Sequence, residues 1–130
     1  MPGRVSFDYA PIWVVPRVER DEVVAAGLVM RCIARDTLMA RVAVDEERIL
    51  GIDAGADLAR IARHLDAIVR VCTGGRDAGP VGELGRRERW HWIVAPRSAV
   101  IQVGPVHVGL CEDPAAAFAR MYDTLMRRAL

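Results

Sequence analysis

Apolar positions along this chain switch between a period of two and a period near 3.6, and the switches mark its elements. Residues 5–18, VSFDYAPIWVVPRV, are rich in aromatic and β-branched types and read as a strand. Pro11 cannot donate to a ladder, so the strand is expected to lie at a sheet edge there or to carry a bulge. Residues 19–23, ERDEV, read as a charged turn or a single helical turn. Residues 25–35 and 37–44 read as two further strands. Leu28, Met30 and Cys32 alternate with Val29, Arg31 and Ile33, and the tight Arg35–Asp36 connection predicts a hairpin.

Asp45 suits an N-cap, and Glu46 and Glu47 suit the first turn of a short helix that should stop at Gly51. The clearest helix is expected over 56–73. At about 100° per residue, Leu58, Ile61, Leu65, Ile68, Val69 and Cys72 share one arc, with Arg60, Arg63 and Arg70 opposite. Residues 75–85 carry four glycines and a proline but no Gly-Lys-Ser/Thr, so the loop is not a phosphate loop. Residues 86–96 fit either period, and a short helix ended by Pro96 is expected. Residues 99–103 read as a strand, and 106–110 as a short extended segment after Gly104–Pro105. Asp113 and Pro114 start a last helix, with Phe118, Met121, Tyr122 and Leu125 on its buried face. The sum is one α+β domain over residues 1–130. A two-layer sandwich is expected: an antiparallel sheet of about four strands with helices on one face.

Composition narrows the class. The chain has 130 residues, 52% hydrophobic and 27% charged, which excludes disorder and predicts a compact soluble domain. The longest apolar runs resemble AAGLVM, far short of the ~20 residues of a membrane span. No basic stretch followed by an apolar segment opens the chain, so no signal peptide is expected. Three scattered cysteines predict reduced thiols and a cytoplasmic location. Net charge is +1, so no global field draws the chain to nucleic acid or acidic membranes. No nucleic-acid-binding pattern is present either. All 18 basic residues are arginine. That suits phosphate or carboxylate recognition, and it equally suits a GC-rich coding bias, which the wealth of Ala, Val and Gly favours.

Candidate chemistry gathers in APRSAVIQVGPVHVGLCEDP, residues 95–114. His107 and Cys111 stand at i and i+4, but Gly109 and Pro105 make the segment extended and nothing completes a metal site; no cofactor is expected. Cys72 lies on a buried arc and reads as a core residue. Ser98, with Arg97 beside it and His107 further on, lacks a nucleophile elbow and a third member. Arg97, Ser98, Gln102 and His107 could instead hold a phosphate, with Trp90 and Trp92 stacking on a base. In the competing reading, Arg97 pairs with Glu88 or Asp113, while Gln102 and His107 satisfy backbone groups at an irregular edge. Two protein-interaction surfaces are also candidates: the Arg60, Arg63 and Arg70 face, and the strand carrying Pro11 with Trp13 nearby.

FDYAPIWVVPRVERDE, AVDEERI and RERWHWIVAPRSAVIQVGPVHVGLCEDP resemble the bacterial Domain of Unknown Function 3037 family, over about residues 7 to 120. The resemblance is densest at Ala95-Pro96-Arg97-Ser98, Ile101-Gln102, Pro105-Val106-His107, Gly109 and Asp113-Pro114. Two positions depart from the pattern: Gly104, where Ser is expected, and Pro11, where an aliphatic residue is usual. The resemblance implies no activity. It implies company, since such proteins are often encoded beside a HipA-like kinase, and therefore a protein partner. The leading expectation is a non-enzymatic accessory or interaction domain. The alternative is a small-ligand or nucleotide-phosphate site on residues 90–111, with or without turnover. A homo-oligomer is compatible with both.

Overall fold

The structure of the protein is a computed structural model that describes residues 3–95 and 100–127. Its longest strand, β1 (Val5–Val14), lies inside the sheet. On one side β1 pairs antiparallel with β2 (Val24–Cys32), and β3 (Thr37–Val42) lies beyond β2. On the other side β4 (Ile101–Val103) runs beside Ile12–Val14, and β5 (His107–Cys111) runs beside Val5–Tyr9. The described residues also form four α-helices: α1 (Glu46–Ile52), α2 (Leu58–Thr73), α3 (Arg86–Val94) and α4 (Pro114–Met126). The class is α+β with an open antiparallel sheet, as the patterns predict, with five strands rather than about four. None of these helices is long and apolar enough to cross a membrane.

Pro11 does not mark an edge, because β1 is paired on both sides. The Pro11 carbonyl accepts the Gly104 N–H at 2.8 Å. A strand residue's N and C=O point to the same side, so the donorless nitrogen faces the gap between β4 and β5, where a ladder bond is already missing. A bulge does occur next to it. Ile12 faces Gly27 and Trp13 faces Ala25, which leaves Ala26 as the extra residue. Pro11 and Gly104 pack against each other. A Cβ at Gly104 would lie 2.8 Å from Pro11 Cγ and 2.8 Å from Trp13 Cη2, so a serine has no room there.

Both faces of the sheet are buried along β1 and β2. Ala10, Ile12 and Val14 alternate with Phe7 and Tyr9. On β2 the bulge shifts the parity, so Val24, Ala26 and Val29 share the first face while Leu28, Met30 and Cys32 take the second. The first face packs Ile49 of α1, Leu65 and Ile68 of α2, and Trp90 and Ile93 of α3. The second packs Ala117 and Phe118 of α4, flanked by Met121, Tyr122 and Leu125. Helices therefore cover both faces, not one. The reason is in the strands: with apolar side chains on each face, neither face can be left to water.

α1 and α4 start where Asp45 and Asp113 predict, and α2 starts at Leu58, two residues later than expected, capped by Asp57. Asp45 accepts from the Arg48 N–H, Asp57 from the Arg60 N–H, and Asp113 from the N–H groups of Ala115 and Ala116. α1 runs on through Gly51 to Ile52. The ambiguous 86–96 segment is helical over Arg86–Val94; Pro96 lies outside the described residues.

Arg89 joins two of these helices. It is buried, and its Nη1 donates to the carbonyls of Val71 (2.7 Å) and Cys72 (2.8 Å), while its Nε donates to Leu84 (3.0 Å). The first two are orphan carbonyls of the last turn of α2, where the helix dipole also welcomes a cation. Gly74, at φ +81°, lets the guanidinium in, since a Cβ there would sit 2.8 Å from Nη1. Cys32, Cys72 and Cys111 are free, buried thiols. Burial pushes the Cys72 thiol up to about 12, against the opposing pull of Arg89.

Replacing Arg89 with Met should cost about 3 kcal/mol, because it strands buried carbonyls. Urea denaturation measures this, and a loss below about 1 kcal/mol would show that the carbonyls find water instead. Arg89→Lys should not restore the loss, since an ammonium lacks the fork. The Cys72 shift carries its own pH signature. The unfolded thiol ionises at its ordinary value near 9.0, whereas the folded one stays protonated to about 12. Its contribution is therefore complete below about pH 9 and is lost as pH rises toward about 12. Cys72→Val should flatten the fall in stability between about pH 8 and about pH 10.5, measured by the same denaturation.

Candidate functional site

Arg97 and Ser98 lie outside the described residues. Gln102 sits on β4 opposite Trp13, half-buried and engaged by a neighbour. His107 opens β5 opposite Tyr9, exposed, its ring centroid 5.4 Å from that of Tyr9. Tyr9 and Trp13 are four residues apart on β1, which puts Gln102 and His107 about 13 Å apart along the strand direction. The structure thus does not bring these two over a common reacting atom. His107 instead borders a groove of about 600 Å³ between the sheet and α4, with Tyr9, Pro11, Leu28, Met121 and Leu125 along it. His107 and Cys111 stand at opposite ends of β5, again about 13 Å apart, too far to share an ion.

The two tryptophans of α3 are separated by two helical positions, about 200° around the axis. Trp90 is buried in the core with the Arg31 guanidinium 4.9 Å above its ring. Trp92 is partly exposed and engaged elsewhere. They do not face a common space in which a base could stack. Cys72 is a packed core residue whose thiolate is disfavoured, and that suits no nucleophile.

The interaction candidates fare differently from one another. Arg60, Arg63 and Arg70 lie on the exposed side of α2, and Arg70 is held by Asp66 at 2.8 Å, one turn back. Trp13 belongs to the central strand, not to an edge, with its ring against Gly104.

A surface absent from the sequence candidates lies on β5. His107, Gly109 and Cys111 face the α4 side, where Gly109 abuts the Phe7 ring and Cys111 is buried. The alternate positions Val106, Val108 and Leu110 are therefore turned to the other side, and they are 46%, 70% and 66% exposed. Among the described strands β5 pairs with β1 alone, so its outer edge has no strand partner. The alternation VHVGL was the available signal. It gives two sets of positions but does not say which set meets a helix.

No curated protein and no solved structure matches the chain. One protein family does, described as a protein of unknown function (DUF3037). The match spans residues 9–126, nearly the whole length, and the chain belongs to that family.

Proposed function

We propose that the protein is an accessory interaction module that receives an extended segment of a partner protein along β5. The observation that carries this reading is the combination of a strand edge with no partner among the described strands and three exposed apolar side chains at two-residue spacing. Folded proteins usually blunt such an edge with charges, proline or a covering loop. Here Pro105 precedes the strand and Glu112 follows it, while the edge between them presents valine and leucine. An added strand would gain main-chain hydrogen bonds from the edge and specificity from the alternate side chains. The resemblance to a family encoded beside HipA-like kinases makes such a kinase the partner to test. The small-ligand alternative on residues 90–111 draws on His107, with Gln102 standing well apart from it along β1.

The test is co-expression with a HipA-like kinase, followed by size-exclusion chromatography. The wild type should co-elute with that partner. Val108→Asp combined with Leu110→Asp should weaken the complex at least tenfold and leave the melting temperature of the free chain nearly unchanged, because both side chains are already exposed. A double variant that keeps its partner would sink the reading.

A further inference from the structure

We propose a second binding site, for the phosphoryl groups of a small diphosphate, in the cleft between the β2–β3 turn and α3. It uses none of the β5 edge residues and stands without the strand-addition reading. The cleft has a volume of about 540 Å³. Arg31 enters it from β2, Asp36 from the turn, Thr37 from the start of β3, and Arg86, Arg87 and His91 from α3. Three guanidiniums and an imidazole thus face one carboxylate among the lining residues, in a protein whose overall charge is only +1.

The cationic groups are placed by separate means. Arg31 is fixed from behind: its Nε and Nη2 both donate to Asp8 Oδ2, at 3.1 and 2.8 Å, and the guanidinium lies over Trp90. A guanidinium carries five donors, so this grip leaves others for a second acceptor. Arg87 and His91 are one turn apart on the exposed side of α3, which brings both to the same wall. Arg86 is ion-paired with Asp36. That carboxylate occupies a place an incoming phosphoryl group would contest, and a doubly charged oxyanion with three acceptor oxygens is the stronger partner for a guanidinium fork. The cleft offers no platform for a base, because Trp90 is buried under Arg31 and Trp92 is not among its lining residues. Recognition is therefore of the phosphoryl groups alone.

Titration calorimetry of the full chain at low ionic strength, with pyrophosphate and with ADP, tests this. Both ligands should bind with affinities within a few-fold of each other and weaken as salt is added. Arg87→Glu should weaken pyrophosphate at least tenfold. Arg48→Glu, the same charge change on the exposed side of α1, should leave it unchanged. Asp36→Asn should tighten binding several-fold, since it frees Arg86, and asparagine tolerates the φ of +52° at that turn position. The proposal is overturned by wild type that gives no binding at several millimolar pyrophosphate. It is equally overturned if Arg48→Glu weakens binding as much as Arg87→Glu, if Asp36→Asn weakens it, or if ADP binds more than tenfold tighter than pyrophosphate.

Discussion

β1 has to satisfy neighbours on all four sides at once. It pairs with β2 along one edge and with β4 and β5 along the other, and its alternate side chains enter two separate cores. Ile12 and Val14 are fully buried on the α2 face, and Phe7 is buried on the α4 face. Each such side chain contributes about 1.5–3 kcal/mol of burial. Little freedom remains for the strand's register. The irregular features around it then follow. Ala26 is the bulge that lets β2 keep apolar side chains on the correct faces after its start. Gly27 beside it has no Cβ because β3 comes too close: a Cβ would lie 2.3 Å from the Arg41 carbonyl oxygen. Pro11 and Gly104 form a matched pair at the break in the opposite edge.

Arginine does much of the joining in this chain. Arg89 closes the end of α2 from α3, and Arg31 ties β2 to Asp8 of β1 while covering Trp90. Arg86 links α3 to the β2–β3 turn, and Arg41 lies over the Tyr122 ring of α4 at 5.0 Å. Each of these uses the planar fork or the flat face of the guanidinium, which a lysine does not supply. An all-arginine composition therefore has structural uses here, whatever its coding origin.

The same architecture separates the two proposed sites. Helices cover the sheet where β1, β2 and β3 run together, and the outward side of β5 is left exposed. That leaves an apolar edge suited to a polypeptide. On the other side of Asp8 and Arg31, the β2–β3 turn and α3 hold a cationic cleft suited to small anions. One position is made by a strand's period of two and the other by a helix meeting a turn, so the two surfaces differ in chemistry because they differ in construction.

The class, the antiparallel hairpin and the helix starts at Asp45 and Asp113 were set by local chemistry. Period, side-chain caps and turn residues act over a few positions and can be read from a few positions. The burial of α2 and α4 along one face each was legible for the same reason. What tertiary structure decided was pairing. Whether Pro11 lies at an edge depends on where Gly104 arrives, 93 positions later in the chain. Whether Val108 or Gly109 faces outward depends on which side α4 chooses, and a strand's alternation is symmetric between its two faces. Arg89 shares the helical phase of Trp90 and Ile93, yet only the arrival of the α2 carbonyls makes a buried cation affordable there. Long-range contacts of this kind have no local signature, because the partner that settles them lies elsewhere in the chain.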